Sequence, residues 1–369
     1  MKANNLYDLP MDLTIGRQPI VLGDGLILSD DDLGFTGIRL DSRLPWYGLQ
    51  ANLFTFKAAQ NVAASNGKEI YGLELTKPTP NIRYQASIVT EHDGTGTPYI
   101  RPSEDASPTN QRFLTTFPNL SYANTFNFAT SQITRTFYDA RVETRLREGG
   151  FIKAEAALQS GHVSRDPSLG TSSATTMGYS SDVTLGGYAF LISGGLFTRF
   201  SKYGPIEIHG LFGLASGDGG GSTDNSFQPS LGHRFDGMER TGFGEYYGAS
   251  LYDAMPSASY GAASSSPSVS GLPSGTSGIR VIGAGVTTHP TSLLSIGIDY
   301  FVYTAQESSG FSPAPSESSL GTELDIGAGF AYTNYMTFRA TYAIFSPGKA
   351  YGAFADNATR LMLEAIGRF

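Results

Sequence analysis

Apolar and polar side chains alternate with a period of two over stretches of about ten residues, the length at which a tilted strand crosses a bilayer. The segment from Tyr138 to Leu146 is the clearest case. There Ala140, Val142, Thr144 and Leu146 fall on one parity and Asp139, Arg141, Glu143 and Arg145 on the other, giving one greasy and one ionic face. The pattern recurs from Trp46 to Lys57, where Tyr47, Leu49, Ala51 and Leu53 oppose Gly48, Gln50 and Asn52, and again over 293–306 and 320–332. One such stretch alone also fits a strand of a soluble sandwich. Their repetition predicts about fourteen strands, near residues 11–20, 33–41, 46–57, 68–77, 81–91, 131–147, 151–161, 180–200, 205–216, 278–288, 293–305, 320–332, 335–346 and 358–369. Within 180–200 the outward parity is expected to switch at Gly194-Gly195, from Val183, Leu185 and Leu191 to Leu196, Thr198 and Phe200, as at a glycine bulge, unless the pair is only slack.

The expected connections alternate between short (42–45, 78–80, 148–150, 202–204, 289–292, 333–334) and long (21–32, 58–67, 92–130, 162–179, 217–277, 306–319, 347–357). This is the plan of an all-β, transmembrane, antiparallel up-and-down β-barrel, one domain over residues 1–369, with extracellular loops near 92–130 and 217–277. Both chain ends then lie on the short-turn rim, the periplasmic one in outer-membrane barrels. In the last segment Leu361, Leu363, Ala365 and Phe369 share the outward face, and a terminal Phe closing an alternating strand resembles the signal read by the outer-membrane assembly machinery.

Composition narrows the function. Nowhere is there an apolar run long enough for a helical span, while a mean hydropathy of -0.15 is compatible with a barrel, whose inward side chains face water. The absence of Cys excludes disulfide and thiolate chemistry, and a net charge of -8 argues against a nucleic-acid partner. The start, MKANNLYDLP, holds no apolar leader, so a secretory signal is expected to lie upstream or to have been removed. His92, His162, His209, His233 and His289 fall in five separate segments without ligand spacing. Asp30-Asp31-Asp32, or Asp218 with Asp224, read either as an oxygen-rich calcium site or as solvated acidic loops. No cofactor or metal is expected. Loop 217–277 is polar and acidic up to Asp253 and rich in Ser, Gly, Pro and Ala from Met255; it either folds into the lumen or decorates the surface.

Four stretches carry a resemblance to a known family. Leu13-Thr14-Ile15-Gly16-Arg17-Gln18 is followed by Phe35-Thr36-Gly37-Ile38-Arg39; Ser216-Gly217-Asp218 by Asp224, Phe227 and Pro229; then come Leu320-Gly321-Thr322-Glu323-Leu324-Asp325 and Tyr342-Ala343-Ile344-Phe345-Ser346-Pro347-Gly348. In order and spacing, across almost the whole chain, they resemble the alginate-export outer-membrane β-barrel proteins. The resemblance implies barrels of roughly eighteen strands, with this chain starting near the family's fifth strand, so that it is either a fragment or a shortened member whose first and last segments pair. It also implies export of an anionic polysaccharide, fed by a periplasmic component.

Read through the alternation, the lumen receives Arg39, Arg83, Arg141, Arg145, Lys153, Arg199, Arg339, Arg360 and Arg368, against Glu74, Asp139, Glu143, Glu155, Glu207, Asp299, Glu323, Asp325 and Glu364. A polyanion conduit is expected to show excess arginine, and this balance departs from that. Arg141, Arg145 and Arg339 are the best candidates for bidentate contact with a carboxylate-bearing sugar; alternatively they join a cross-strand network that stiffens the wall. Arg17 shares the parity of Leu13 and Ile15 and faces lipid unless Gly16 bulges. The resulting expectation is an outer-membrane channel or porin, embedded in outer-membrane lipid and passing solutes or an anionic polysaccharide. A structural or adhesive barrel with a plugged lumen and partner-binding loops is the alternative. A barrel hydrolase is disfavoured, because His209, the one histidine placed mid-strand, has no Ser and acid partnered to it by spacing.

Overall fold

The computed structural model describes residues 2–4, 9–44, 47–60, 67–94, 131–146, 149–165, 182–200, 204–230, 276–308, 317–333, 335–351 and 356–367. Among these, sixteen strands form one sheet. They are β1 (Lys2–Ala3), β2 (Met11–Val21), β3 (Ser29–Leu44), β4 (Leu49–Gln60), β5 (Gly67–Pro78), β6 (Ile82–Asp93), β7 (Ser131–Leu146), β8 (Gly150–Arg165), β9 (Asp182–Phe200), β10 (Gly204–Ala215), β11 (Thr223–Asp224), β12 (Thr276–Thr288), β13 (Leu294–Ser308), β14 (Ser319–Thr333), β15 (Met336–Pro347) and β16 (Ala358–Gly367). Apart from the two-residue β1 and β11, these are the fourteen stretches the alternation predicts. Each long strand pairs antiparallel with its neighbours in chain order, and β11 adds a short parallel pair to β9.

The two faces have opposite chemistry. Leu53, Leu73, Ile88, Tyr138, Leu158, Tyr188, Ile298 and Leu363 lie exposed on the outward side, while Glu74, Arg135, Asp139, Arg141, Glu155 and Glu323 are buried on the inward side among Phe54, Phe56, Phe137, Tyr303 and Phe345. A water-soluble sheet arranges its faces the other way round. The sheet is strongly curved: inward side chains from Phe151 on β8 to Arg339 on β15 surround one space. No helix among the described residues is long and apolar enough to cross a membrane, which leaves the strands to be judged by their own pattern.

Two expectations are corrected. No bulge occurs at Gly194-Gly195: β9 keeps one register against β8 from Leu196 to Asp182. Val183, Leu185 and Leu191 are buried on the inward face, while Tyr188, Ile192 and Leu196 are exposed throughout on the other parity. The aliphatic residues at the upper end of β9 belong to the lumen packing, which is why their parity misled. The expected pairing of the first and last segments is also missing among the described residues; β2 carries β1 on that edge instead, with Lys2 opposite Thr14. Phe369 and Arg368 lie outside the described residues, as do residues 95–130 and 231–275 of the two long loops.

Candidate functional site

Two segments from the long-loop rim fold back into the lumen. The connection between β2 and β3 turns tightly, with Gly23 and Gly25 at φ of 60° and 89°, and the Leu22 amide donates to the Leu28 carbonyl at 2.9 Å. Leu26, Ile27 and Leu28 are almost fully buried. At the tip, the Asp24 amide donates to the Glu155 carboxylate on β8, and the Leu26 amide reaches the other oxygen at 3.4 Å. The Asp24 carboxylate accepts from Arg141 at 2.9 Å and from Lys153 at 3.4 Å. Arg141 also donates to Glu143 at 3.0 Å and to the Gln85 side chain at 2.6 Å. Gly23 has the left-handed φ that favours glycine, and a Cβ there would also displace the Glu155 carboxylate.

The second segment is the described start of loop 217–277. Ser216 ties it down: its hydroxyl donates to the Asn225 carbonyl at 2.6 Å and accepts from the Tyr188 amide at 2.8 Å. Asp218 and Asp224 are buried, and each accepts from a backbone amide two residues ahead, Gly220 and Ser226. Beyond β11, the chain crosses the inner wall. The Gln228 amide donates to the Gln159 side chain on β8, the Gln228 carbonyl accepts from Arg135 on β7 at 2.6 Å, and the Ser230 carbonyl accepts from Lys68 on β5 at 3.1 Å. Lys68 and Arg135 both pair with the fully buried Glu91, at 3.0 and 2.6 Å, and Phe227 packs edge-on against Phe137. The two cations share the one Glu91 carboxylate and each also donates to a backbone carbonyl, so every buried charge has a partner.

The remaining lumen keeps a cavity of about 640 Å³ against β8 to β15. Phe301, Tyr303 and Phe345 pack above it, and towards the short-turn rim it is lined by Gly283, Gly297, Gly327 and Gly329, together with Glu207, His209, Asp299, Asp325 and Arg339. His209 on β10 and Asp299 on β13 meet at 2.6 Å across the intervening β12. The residue between them in register is Gly285, where any side chain would fall on both groups. Asp325 stands directly opposite Asp299 on the next strand.

The structure therefore distributes the expected lumen residues between two settings. Arg141 and Lys153 are held by Asp24 and Glu143 by Arg141, while Arg39 pairs locally with Asp41 at 2.7 Å. Arg83 and Arg145 sit exposed near the short-turn rim, Arg339 and Asp325 line the cavity, and Glu323 is buried above it, accepting from the Tyr303 hydroxyl. Arg199 lies on β9 opposite Pro205, but its side chain is outside the described residues, as are those of Asp30, Asp31 and Asp32. Of the motif residues, Gln18 is buried inward, Gly16 has φ of 124° without a register shift, and Arg17 is exposed on the outward face with Ile15. Gly217 passes so close to the Ser277 carbonyl that a side chain is excluded. Sequence reasoning missed Asp24, Lys68, Glu91 and Arg135. The last two share the inward parity of Arg83 and Arg141 and were readable from it; Asp24 lies in a loop, where parity has no meaning.

No family model matches the chain, and no curated protein matches it. Among solved structures, 96% of this chain superposes on Wzi of Escherichia coli, an outer-membrane protein described as involved in group 1 capsule assembly and as a carbohydrate-binding β-barrel, at 11% identity and a TM-score of 0.42. The siderophore receptor PirA of Acinetobacter baumannii gives 92%, 12% identity and 0.40, and the toluene transporter TodX of Pseudomonas putida 85%, 11% and 0.28. The chain covers 66% of the Wzi chain, 43% of PirA and 77% of TodX. At these TM-scores the superpositions are too loose to carry any property across, and the fold rests on the strand ladder itself.

Proposed function

We propose that this chain is the wall of an outer-membrane channel that passes solutes through the lumen beside β8 to β15, the lumen beside β2 to β8 being closed by the two inward-folded segments. One observation carries the reading: an apolar outward face on nearly every long strand encloses a polar lumen that retains a 640 Å³ cavity. Helices and closed barrels are the structures that satisfy their backbone within lipid, and among the described residues only strands are long enough to span it. In this reading both ends of the sheet lie on the periplasmic rim, Phe369 addresses the assembly machinery, and the long connections face outward from the cell.

For the solute, the resemblance to alginate-export proteins suggests an anionic polysaccharide handed over by a periplasmic component. The cavity lining favours neutral or cationic solutes over a polyuronate, because Glu207, Asp299 and Asp325 outnumber Arg339 there. The filled half of the lumen favours the second reading, a plugged structural or adhesive barrel. Single-channel conductance in a planar bilayer under a salt gradient separates them. A stable pore with cation preference and no block by polyuronate supports the channel; anion preference with polyuronate block returns the polysaccharide; a silent bilayer sinks transport and leaves the plugged barrel.

A further inference from the structure

The outward face holds one quarter that the channel reading does not use. Register places Thr36 on β3 opposite Arg17 of β2 on one side and opposite Lys57 of β4 on the other, and all three are exposed on the outward face. We propose that Arg17 and Lys57, with the Thr36 hydroxyl between them, bind the phosphate headgroup of an anionic membrane lipid. The proposal rests on reading the outward face as the membrane face.

Position supports it first. On each of these strands the outward residues nearer the short-turn rim are apolar: Leu13 and Ile15 on β2, Ile38 and Leu40 on β3, Ala51 and Leu53 on β4. The two cations therefore stand above the apolar pairs of their strands, with Pro19 and Val21 of β2 exposed beyond Arg17, at the level where the outward face turns from apolar to mixed. Strand spacing sets their backbones about 10 Å apart, close enough for two long side chains to close on one phosphate.

Charge supports it second. The next outward neighbour of Lys57 is Glu69 on β5, whose carboxylate accepts the Tyr71 hydroxyl on its own strand. Across the sheet, Arg280 on β12 has its guanidinium donating to the Thr304 hydroxyl at 3.0 Å. Arginine presents a planar fork that matches phosphate, lysine adds a point charge, and threonine a donor, so the set is that of a phosphate site. A free phosphate would meet only exposed side chains here. A lipid also brings acyl chains to lie on Ile15 and Ile38, both exposed directly below.

The test is native mass spectrometry of the protein in an uncharged detergent, titrated with diphosphoryl lipid A, with phosphatidylcholine and inorganic phosphate as comparisons. Wild type is expected to retain lipid A and to prefer it clearly over both. The double variant Arg17→Gln/Lys57→Gln should bind lipid A about thirtyfold more weakly and Lys57→Gln alone about fivefold, with Arg280→Gln unchanged. Heat-modifiable migration in a gel establishes that each variant is folded, and if the double variant is not, the single one decides. Undiminished lipid A binding by the folded variants overturns the proposal, as does equal retention of phosphatidylcholine or inorganic phosphate. Vesicle flotation reads the membrane wall separately: protein that floats but shows no lipid A preference loses the patch alone, whereas protein that does not float loses the wall on which the patch depends.

Discussion

The lumen beside β2 to β8 and the lumen beside β9 to β15 are built from the same alternating strands and are both packed at the long-loop end, yet among the described residues the second keeps a cavity towards the short-turn rim. Inward positions of the first half carry Phe54, Phe56, Ile70 and Phe137, and its charged residues are long and are met by segments folding in from the loops. Inward positions of the second half near the short-turn rim carry Gly283, Gly285, Gly297, Gly327 and Gly329. The comparison teaches that the alternation builds a wall, while the size of the side chains on its inner parity decides whether that wall encloses a core or a passage.

The strongest way to break the comparison is to remove the ionic centre of the filled half. Arg141→Met leaves Asp24, Glu143 and Glu155 facing one another without their shared cation, and stripping one partner from a buried pair costs about 3–5 kcal/mol. Urea unfolding in micelles should register that loss together with easier proteolysis at the 22–28 turn.

Next come substitutions that should not distinguish the halves. Leu158→Arg on β8 and Ile298→Arg on β13 both place a charge on the exposed outward band, and each should cost up to about 2–4 kcal/mol at mid-bilayer depth. A clear cost at Leu158 with none at Ile298 would mean that the two walls do not share an environment.

The same enlargement inside should then separate them. Ala157 is fully buried in the filled half, so Ala157→Leu is expected to destabilise by about 1–3 kcal/mol through overpacking. A Cβ at Gly327 meets nothing within 4 Å and faces the cavity, so Gly327→Leu should leave stability nearly unchanged and lower conductance. Thermal melting of both variants, with single-channel recording of the second, reads the pair.

The smallest effect is expected at Asp299→Asn. It weakens the contact with His209 in a part-exposed setting, about 1 kcal/mol or less, and should shift the reversal potential away from cations. An unchanged reversal potential would remove Asp299 from the conduction path.

Much of the wall was legible in the sequence, because a strand with two unlike faces writes its chemistry every second residue. Tyr138 to Leu146 alternates in the structure as it does on paper, and the short turns fall where the pattern stops. The filling was not legible. Asp24 belongs to no strand, and its partners Arg141 and Lys153 are specified by how a loop folds. His209 and Asp299 meet over 90 positions of sequence and across one whole strand, a relation that appears only once register is known. The hollow itself could have been read: glycine recurring on the inward parity of β12 to β14 is a sequence signal, and only the parity of large residues was followed. In β9 that habit failed outright, because Val183 and Leu185 are apolar and face inward.

The bond between Asp24 and Glu155 joins residues 131 apart in the chain. Neighbouring strands zip by hairpins, each closing a far shorter loop, whereas this contact has no partner until β7 and β8 stand in place. Assembly thus has an order built into it: the strands on either side of the contact stand first, and the connection between β2 and β3 is among the last elements to seat.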